Sequence, residues 1–384
     1  MLDVAIIGGG PAGTSAALQA RHRGLQVAVW ERDRFPRHRV CGEFISAEAL
    51  PWLQREVPPT LARSSIIHRA EFISANGFRR GFNLPRPARG LSRHLLDASL
   101  WKAAAEAGVE THEAEVIRSV RKLSGPAEGD AWELESVGGI ITKAKTLIVA
   151  CGRWWTLDGF PSPTRQQKPT GAGEWIGAKA HFAGLEPRAS VEMYLFRGGY
   201  CGLAPIEDGK YNVCCLVHRE RLRDANMSSR VNFAAWLGRV SCHSALEARL
   251  RGAAQVSTAV TTAPVRLARG SPAEDGALLA GDASGFLDPF TGEGISMALH
   301  SGRLAGNAIA ESLAGGLGRE PAAEIYRQNL GRAVKRSYRV AALARTAIHA
   351  PRWMQDLSAA PLPWLGSWLL SQTRWQAAPA PESS

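Results

Sequence analysis

Three glycines near the amino end are spaced to bind a dinucleotide. Gly8, Gly10 and Gly13 follow an apolar run at residues 3–7 that predicts a buried strand. The first glycine permits a tight turn, the second lets the backbone approach a pyrophosphate, and the third lets a helix pack close to the strand. Glu31 ends the next apolar run, 18 residues after Gly13, where a carboxylate can accept hydrogen bonds from ribose hydroxyls. This order of elements predicts a dinucleotide site.

A second glycine-rich segment lies at residues 276–306. Residues 277–280 read as a short buried strand, Gly281 and Asp282 follow it, and a helix pattern begins near Gly292. The amino end of such a helix offers backbone N–H donors and a partial positive charge. From the residue types alone, Asp282 is either a ligand-binding carboxylate or a turn aspartate.

Composition indicates a globular chain that is not built for nucleic acid. The chain has 384 residues, 45% of them hydrophobic and 21% charged, which predicts two joined domains or one large one. The net charge is +11, but the basic residues are scattered, without a run of like charges or a nucleic-acid motif. We therefore expect no nucleic-acid partner.

The cysteine spacing argues against a metal site or a disulfide framework. None of the six cysteines forms a C-x-x-C pair. The apolar start lacks the basic flank of a signal peptide, and no apolar run is long enough to span a bilayer. We expect a cytoplasmic protein with reduced thiols and no bound metal.

The middle of the chain has a different pattern. Between 161 and 264, short apolar runs are separated by glycine turns, and Asp208-Gly209 between two runs predicts a hairpin. An antiparallel sheet is therefore expected as an insertion, with aromatic residues that face either a site or the core. These aromatic residues are Trp175, Tyr194, Phe196 and Tyr200.

The predicted fold is α/β, with a Rossmann-like cofactor domain and an inserted antiparallel sheet. We predict the first part of the cofactor domain at 1–160, the sheet at 161–264, the second part at 265–312 and C-terminal helices at 313–384. Residues 321–348 carry apolar positions at helical spacing. The tryptophans that follow either cap a substrate cavity or touch a membrane surface; they are Trp353, Trp364 and Trp368.

The second glycine segment resembles the Gly-Asp motif of the FAD-dependent aromatic hydroxylase superfamily, the para-hydroxybenzoate hydroxylase fold. The resemblance covers about residues 1–310. It implies that Asp282 binds a ribityl hydroxyl and that the amides of residues 292–295 face the isoalloxazine ring. Arg93 matches a family arginine that begins a helix and contacts FAD, although its spacing equally suits an ion pair with Asp97.

The stretch Phe35-Pro36-Arg37, followed by Cys41-Gly42, resembles the geranylgeranyl-reductase-like branch of that superfamily. The resemblance implies that Cys41 and Gly42 lie over the flavin ring as candidate catalytic residues. It also gives the basic triplet at 37–39 an anionic neighbour, the pyrophosphate. We call residues 40–43 the cysteine loop. Residues 198–205 resemble a second element of the branch, but Leu203 and Ala204 replace its aromatic residues.

The implied FAD contacts form one set. They are Gly8, Gly10, Pro11, Ala12, Gly13, Glu31, Arg32, Arg39, Cys41, Arg93, Val116, Gly152, Gly281, Asp282, Gly292, Gly294 and Ile295. Glu43, His94 and Glu293 fall in segments expected near the flavin, where such polar groups are more often structural than catalytic.

We predict an FAD-dependent oxidoreductase that acts on a hydrophobic small molecule of the prenyl, polyketide or quinone type. The alternative is an NAD(P)H-dependent monooxygenase. A flavin halogenase fits less well, because the first lysine is Lys102 and the segment 154–156 does not match the halogenase tryptophan element. No second dinucleotide fingerprint is present, so the electron donor is NAD(P)H or a redox carrier. We expect a monomer or dimer with peripheral membrane contact as an option.

Overall fold

The computed structural model describes residues 1–124, 131–153, 155–160, 175–222, 232–265, 270–285 and 292–333. The strands are β1 (Leu2–Ile7), β2 (Val27–Glu31), β3 (Phe44–Ile45), β4 (Ser65–Ile73), β5 (Arg79–Gly90), β6 (Glu110–Glu113), β7 (Ile117–Leu123), β8 (Ala131–Ser136), β9 (Ile141–Val149), β10 (Trp175–Ala183), β11 (Ser190–Phe196), β12 (Gly199–Pro205), β13 (Tyr211–His218), β14 (Ala254–Gln255), β15 (Val260–Val265), β16 (Ala273–Glu274) and β17 (Ala277–Leu279). The helices are α1 (Pro11–His22), α2 (Leu50–Glu56), α3 (Pro58–Arg63), α4 (Arg93–Glu106), α5 (Phe233–Ser241), α6 (Ser244–Leu250), α7 (Gly294–Ala314) and α8, over residues 319–333.

The first sheet forms the cofactor-domain core predicted from the glycine motif. Its path is β16-β17-β9-β1-β2-β6, and β7 and β8 extend it. Strands β17, β9, β1, β2 and β6 run parallel. Alternate residues of β1 face opposite layers: Val4 and Ile6 pack under the helices, whereas Ala5 and Ile7 pack on the β7–β8 side. This three-layer arrangement confirms the predicted α/β class.

The helices on one side hold the glycine turn in place. A Cβ on Gly302 of α7 would lie 2.1 Å from the carbonyl oxygen of Ala12 in α1. Because only a hydrogen fits there, α1 and α7 approach very closely, and the amino ends of both helices are fixed relative to each other.

The second sheet has nine strands, in the order β14-β10-β13-β12-β11-β4-β5-β3, with β15 paired to β10. The predicted hairpin between β12 and β13 is present, and Asp208 has a positive φ of 58° there. The apolar face packs against α5 and α6, with Tyr194, Phe196 and Trp236 in its core.

Two features of this sheet differ from the sequence-based prediction. Strands β3, β4 and β5 lie within the range 1–160 that we assigned to the cofactor domain, yet they pair in the second sheet. The sheet is also not wholly antiparallel, because β11 pairs with β4 in parallel. Both features follow from the pairing of β4 with β11, two segments far apart in the chain, which local patterns do not reveal.

The C-terminal part of the prediction is only partly covered. Helix α8 buries Tyr326 and Leu330 in the core of the cofactor domain. The rest of the helix predicted to residue 348, the tryptophans after it and Trp154 lie outside the described residues. Among the described helices, none has the length and apolar character needed to cross a membrane.

Candidate active site

The glycine turn after β1 has the geometry predicted from its spacing. Gly8 has a φ of +108°. A Cβ on Gly13 would lie 1.7 Å from the Gly8 carbonyl oxygen, so α1 must begin directly against the turn. The Gly9 N–H donates to Glu31 Oε2 at 2.8 Å. The Glu31 carboxylate therefore lies at the turn, at the end of β2.

Four other glycines of the predicted set or its neighbours border open space. A Cβ built on Gly42, Gly152 or Gly294 would meet nothing within 4 Å, and one on Gly10 would meet only Arg93 Nη2, at 3.7 Å. Gly10 comes just before α1, Gly152 follows β9, Gly294 begins α7, and Gly42 belongs to the cysteine loop. They provide surfaces where backbone can approach a large flat ligand.

Arg93 lies beside Gly10 and places a positive charge among these positions. Its Nε and Nη2 donate to the two oxygens of Asp97 at 2.6 and 2.7 Å, so the ion pair that the sequence left open is present. Burial tends to lower the pKa of Arg93, but the Asp97 charge outweighs it and raises that pKa. The positive charge also acts on the Cys41 thiol and the Asp282 carboxyl.

Arg37 offers unused hydrogen-bond donors. Its side chain is only 11% exposed and its Nη2 donates to Glu31 at 3.0 Å. Its Nε and Nη1 are buried without a hydrogen-bond partner among the described residues. A buried guanidinium with free donors suits an anionic oxygen such as a phosphate.

The basic triplet is not presented to one ligand as the sequence suggested. Arg39 forms an ion pair with Asp33. His38 turns toward the second sheet, where its ring centroid lies 5.0 Å from that of His181. Arg37 keeps two nitrogens, Nε and Nη1, without a hydrogen-bond partner among the described residues, although Nε lies 3.7 Å from Asp33 Oδ2.

Asp282 lies just beyond β17, in a single 3-10 turn at Gly281–Ser284. Burial raises the pKa of its carboxyl, although the charges of Arg153 and Arg93 oppose the rise. Its Oδ2 lies 3.6 Å from Arg153 Nε. A partly desolvated carboxylate here can accept a hydroxyl hydrogen bond.

Several predicted contacts can act only through their backbone. Ala12 and Ile295 are buried, at 5% and 2% exposure, and Pro11 occupies the first position of α1. Val116 is 42% exposed, and its carbonyl already accepts the N–H of Val137. Arg32, another residue of the predicted set, has an exposed side chain whose Nε lies 3.9 Å from Asp33 Oδ2.

The cysteine loop lies across the second sheet and hides a buried carboxylate beneath it. Glu43 is fully buried and has a φ of +56°. It forms an ion pair with Lys179, its Oε2 lies 2.7 Å from His181 Nε2, and its Oε1 accepts the Arg93 N–H at 2.7 Å. Because a carboxylate only accepts, Nε2 of His181 is the protonated nitrogen.

Lys179 and His181 were missed in the sequence. Both are buried, at 0% and 4% exposure, inside the otherwise apolar run of β10. Their spacing of two residues puts them on one face of the strand. Buried polar residues on one face of a strand were the available signal, but their partner, Glu43, is 136 residues away from Lys179.

The charges in this cluster are compensated. Burial alone would raise the pKa of Glu43, but the Lys179 charge and the His181 hydrogen bond outweigh it and hold that pKa below its usual value. The rings of His38 and His94 lie 4.7 Å apart on the outer side. Burial and the Lys179 charge lower the pKa of His38 to about 4, which leaves it neutral near pH 7.

Cys41 itself is a neutral thiol. Burial raises its pKa, and the Arg93 charge offsets this only in part. Its Sγ accepts the Glu43 N–H at 3.4 Å, and its carbonyl accepts Asn212 Nδ2 at 2.9 Å. The loop is thus fixed to β13 by its backbone.

Beyond the cluster, the same face of the second sheet is apolar. Trp175 shares a face of β10 with Lys179 and His181 because these residues alternate by two. Tyr200 also lies on this face, whereas Tyr194 and Phe196 lie in the core. The apolar wall consists of Trp175, Met193, Leu195, Tyr200, Leu216 and Val265.

This site fits FAD. The close turn at Gly13, the open glycines and the unpaired Arg37 donors suit a flavin dinucleotide. The described residues contain no group of three His, Cys, Asp or Glu side chains that could hold a metal ion.

Comparison with known proteins agrees. A family model described as "FAD dependent oxidoreductase" matches residues 3–85. The chain is 28% identical over 321 residues to digeranylgeranylglycerophospholipid reductase 2 of Methanopyrus kandleri, covering 81% of this chain and 77% of that protein. It is 27% identical to the menaquinone reductase of Mycolicibacterium smegmatis, covering 79% and 75%. The flavin-dependent brominase Bmp2 shares the fold, with a TM-score of 0.75 at 21% identity over 98% of this chain and 94% of that one.

The chain is an enzyme of the FAD-dependent oxidoreductases. Over about four-fifths of its length it is similar to relatives named as geranylgeranyl-lipid reductases and as flavin-dependent halogenases, a likeness that its sequence motifs predicted.

Proposed function

We propose that the protein uses FAD to reduce a double bond in a hydrophobic small molecule of the prenyl, polyketide or quinone type. The observation that carries this proposal is the apolar wall, which shares its face of the second sheet with residues that contact the cysteine loop. The relatives named as reductases of a prenylated lipid and of menaquinone support the same substrate class.

FAD, when bound, supplies the two-electron transfer, and the protein supplies binding and orientation. We propose that Arg93 and Arg37 bind the pyrophosphate and that Asp282 binds a ribityl hydroxyl. The amino end of α7 at Gly294 is exposed and open. Its backbone donors and dipole would stabilise negative charge that develops on the ring.

The apolar wall orients the substrate and excludes water. Trp175, Met193 and Leu195 are partly buried, so each keeps apolar surface available for a ligand. At about 25 cal/mol per Å² of buried apolar surface, even a short prenyl segment gains several kcal/mol of binding free energy. The proposed electron donor is NAD(P)H or a redox carrier.

The test is a single-turnover reaction without oxygen. The purified protein is reduced with dithionite and mixed with a menaquinone analogue or a geranylgeranyl lipid, and the return of oxidised flavin absorbance is followed. We expect rapid return with one of these acceptors and a product that has gained two hydrogens by mass spectrometry. Reoxidation no faster than in buffer with every acceptor would refute the reductase proposal.

A matched pair of variants checks the wall. Met193→Gln should raise the KM for the substrate about tenfold, because a lining thioether becomes polar, with FAD binding unchanged. Ile66→Gln, at a position of β4 that is 44% exposed, should change neither. Equal effects of the two variants would contradict the assignment of the wall.

Halogenation is the second candidate, and one observation favours it. Lys102 is exposed and pairs with Glu106, but Lys179 lies at the cysteine loop. A lysine therefore lies against the loop that we propose to cover the flavin, a position that the first lysine alone did not suggest. Against this role, its amino group is held by Glu43. Reduced protein supplied with oxygen, bromide and a pyrrole or indole should yield no brominated product if the reductase proposal holds.

A further inference from the structure

The cysteine loop is attached to the second sheet at three successive points. A Cβ on Gly177 would lie 2.9 Å from Val40 Cγ1, so the Val40 side chain fills the space left by this glycine. The Cys41 carbonyl accepts from Asn212, and Glu43 pairs with Lys179. The loop therefore lies across the face of β10 and β13.

Glu43 also reaches the cofactor side of the molecule. Its Oε1 accepts the Arg93 N–H, and its carbonyl accepts the Leu91 N–H at 3.1 Å. Arg93 begins α4, and its guanidinium lies beside Gly10. One carboxylate thus connects the second sheet to the first residue of the helix that carries the proposed pyrophosphate-binding arginine.

The conformation of Glu43 shows that this connection is costly to form. A φ of +56° is uncommon for a residue with a Cβ, and a fully buried carboxylate loses its hydration. Both costs are offset only when the three donors from Lys179, His181 and Arg93 are in place. The ring of His38 lies 5.0 Å from that of His181 and 4.7 Å from that of His94, so further polar rings lie next to the donors of this carboxylate.

We propose that Glu43 is a positioning residue, which fixes the cysteine loop and Arg93 relative to the second sheet. Bound FAD and substrate are thereby held in a fixed orientation to each other. The inference rests on the proposed placement of FAD against Arg93 and Gly42. It does not depend on which substrate is reduced.

The test compares two buried carboxylates, one in the loop that lies on the second sheet and one in a strand of that sheet. Glu43→Gln keeps the shape but removes the charge, so it cannot satisfy all three donors. We expect the Kd for FAD, measured by flavin fluorescence, to rise about tenfold or more, with a shifted visible flavin spectrum. The control is Glu192→Gln, on the opposite face, where Glu192 is also fully buried and accepts from Arg188, Tyr194 and Arg249. It should lower the Tm while FAD affinity and spectrum stay as in wild type.

A double variant separates positioning from stability. Lys179→Met alone leaves a buried unpaired carboxylate and should lower the Tm strongly. Glu43→Gln/Lys179→Met removes both charges, so the Tm should recover while FAD binding stays weak. FAD affinity and spectrum that follow the Tm in every variant would overturn the inference, as would wild-type values in Glu43→Gln.

The variant Arg93→Ala tests the proposed placement of FAD separately from the positioning role of Glu43. We expect weaker FAD binding in this variant. Wild-type FAD affinity in Arg93→Ala would overturn the cofactor placement, and the positioning role with it. Weak binding in Arg93→Ala together with wild-type binding in Glu43→Gln would overturn the positioning role alone.

Discussion

At the scale of single residues, Cys41 is the position whose role changed most between sequence and structure. The sequence presented a cysteine beside a glycine and a carboxylate, which could have been a reactive thiolate. The structure shows a thiol whose pKa burial raises. Its neighbour Glu43, which residue type alone favoured as structural, makes the larger number of charged contacts.

For Cys41 the expected outcome of Cys41→Ala is retention of FAD with altered turnover. The sulfur accepts a weak hydrogen bond from the Glu43 N–H and also interacts with the Arg93 side chain, so its loss should cost the fold about 1 kcal/mol. Turnover and the visible flavin spectrum are the measurements. If neither changes, Cys41 only fills space; Cys151→Ala, at a thiol bonded to the Ile7 carbonyl, is the matched control.

At the scale of elements, the sequence predicted the helices that local sequence motifs specify. Helix α1 follows from its glycines, α4 from the resemblance in which Arg93 begins a helix, and α7 from the second glycine segment. The pairing of β4 with β11 and the meeting of Glu43 with Lys179 depend on distant segments. No local periodicity encodes those contacts, so the place of β3, β4 and β5 in the second sheet was missed, and so was the buried half of the site.

Replacement of two glycines of the same turn by alanine should affect different properties, thermal stability for Gly13 and FAD binding for Gly10. Gly13→Ala places a Cβ 1.7 Å from a backbone oxygen, so α1 must move and the Tm should fall by several degrees or more. Gly10→Ala meets only the end of Arg93, at 3.7 Å, and should fold normally.

The Gly10→Ala variant should nevertheless bind FAD about tenfold more weakly, because the methyl group occupies the surface that a pyrophosphate approaches. Thermal unfolding and a fluorescence titration with FAD measure the two effects. Normal FAD affinity in a folded Gly10→Ala protein would argue that the dinucleotide does not follow the turn.

At the scale of the whole molecule, acid should destabilise the fold before its carboxylates titrate. The pKa values of His38 and His300 are lowered to about 4, mainly by burial. Between about pH 6.5 and 4 the unfolded chain therefore binds more protons than the folded one, and stability falls as the pH falls. The charges of Lys179, His181 and His94 act in the same direction on His38, and Glu43 opposes them.

The measurement is the Tm of the wild type and of His38→Gln at about pH 7 and pH 5. His38→Gln should lose less Tm on acidification than wild type, since it lacks one titrating group. His68→Gln, at an exposed histidine, serves as control and should follow wild type. Identical pH dependence of all three proteins would show that His38 does not contribute to the acid sensitivity.

The Glu43 carboxylate, which joins β10 to the first residue of α4, has a consequence for engineering. A second sheet grafted from a relative would bring its own residue at the position of Lys179 beneath the host's cysteine loop. Unless residue 43 is exchanged with it, the graft leaves a carboxylate or an ammonium ion alone in the interior. Successful chimeras should therefore take the cysteine loop and β10 from the same parent protein.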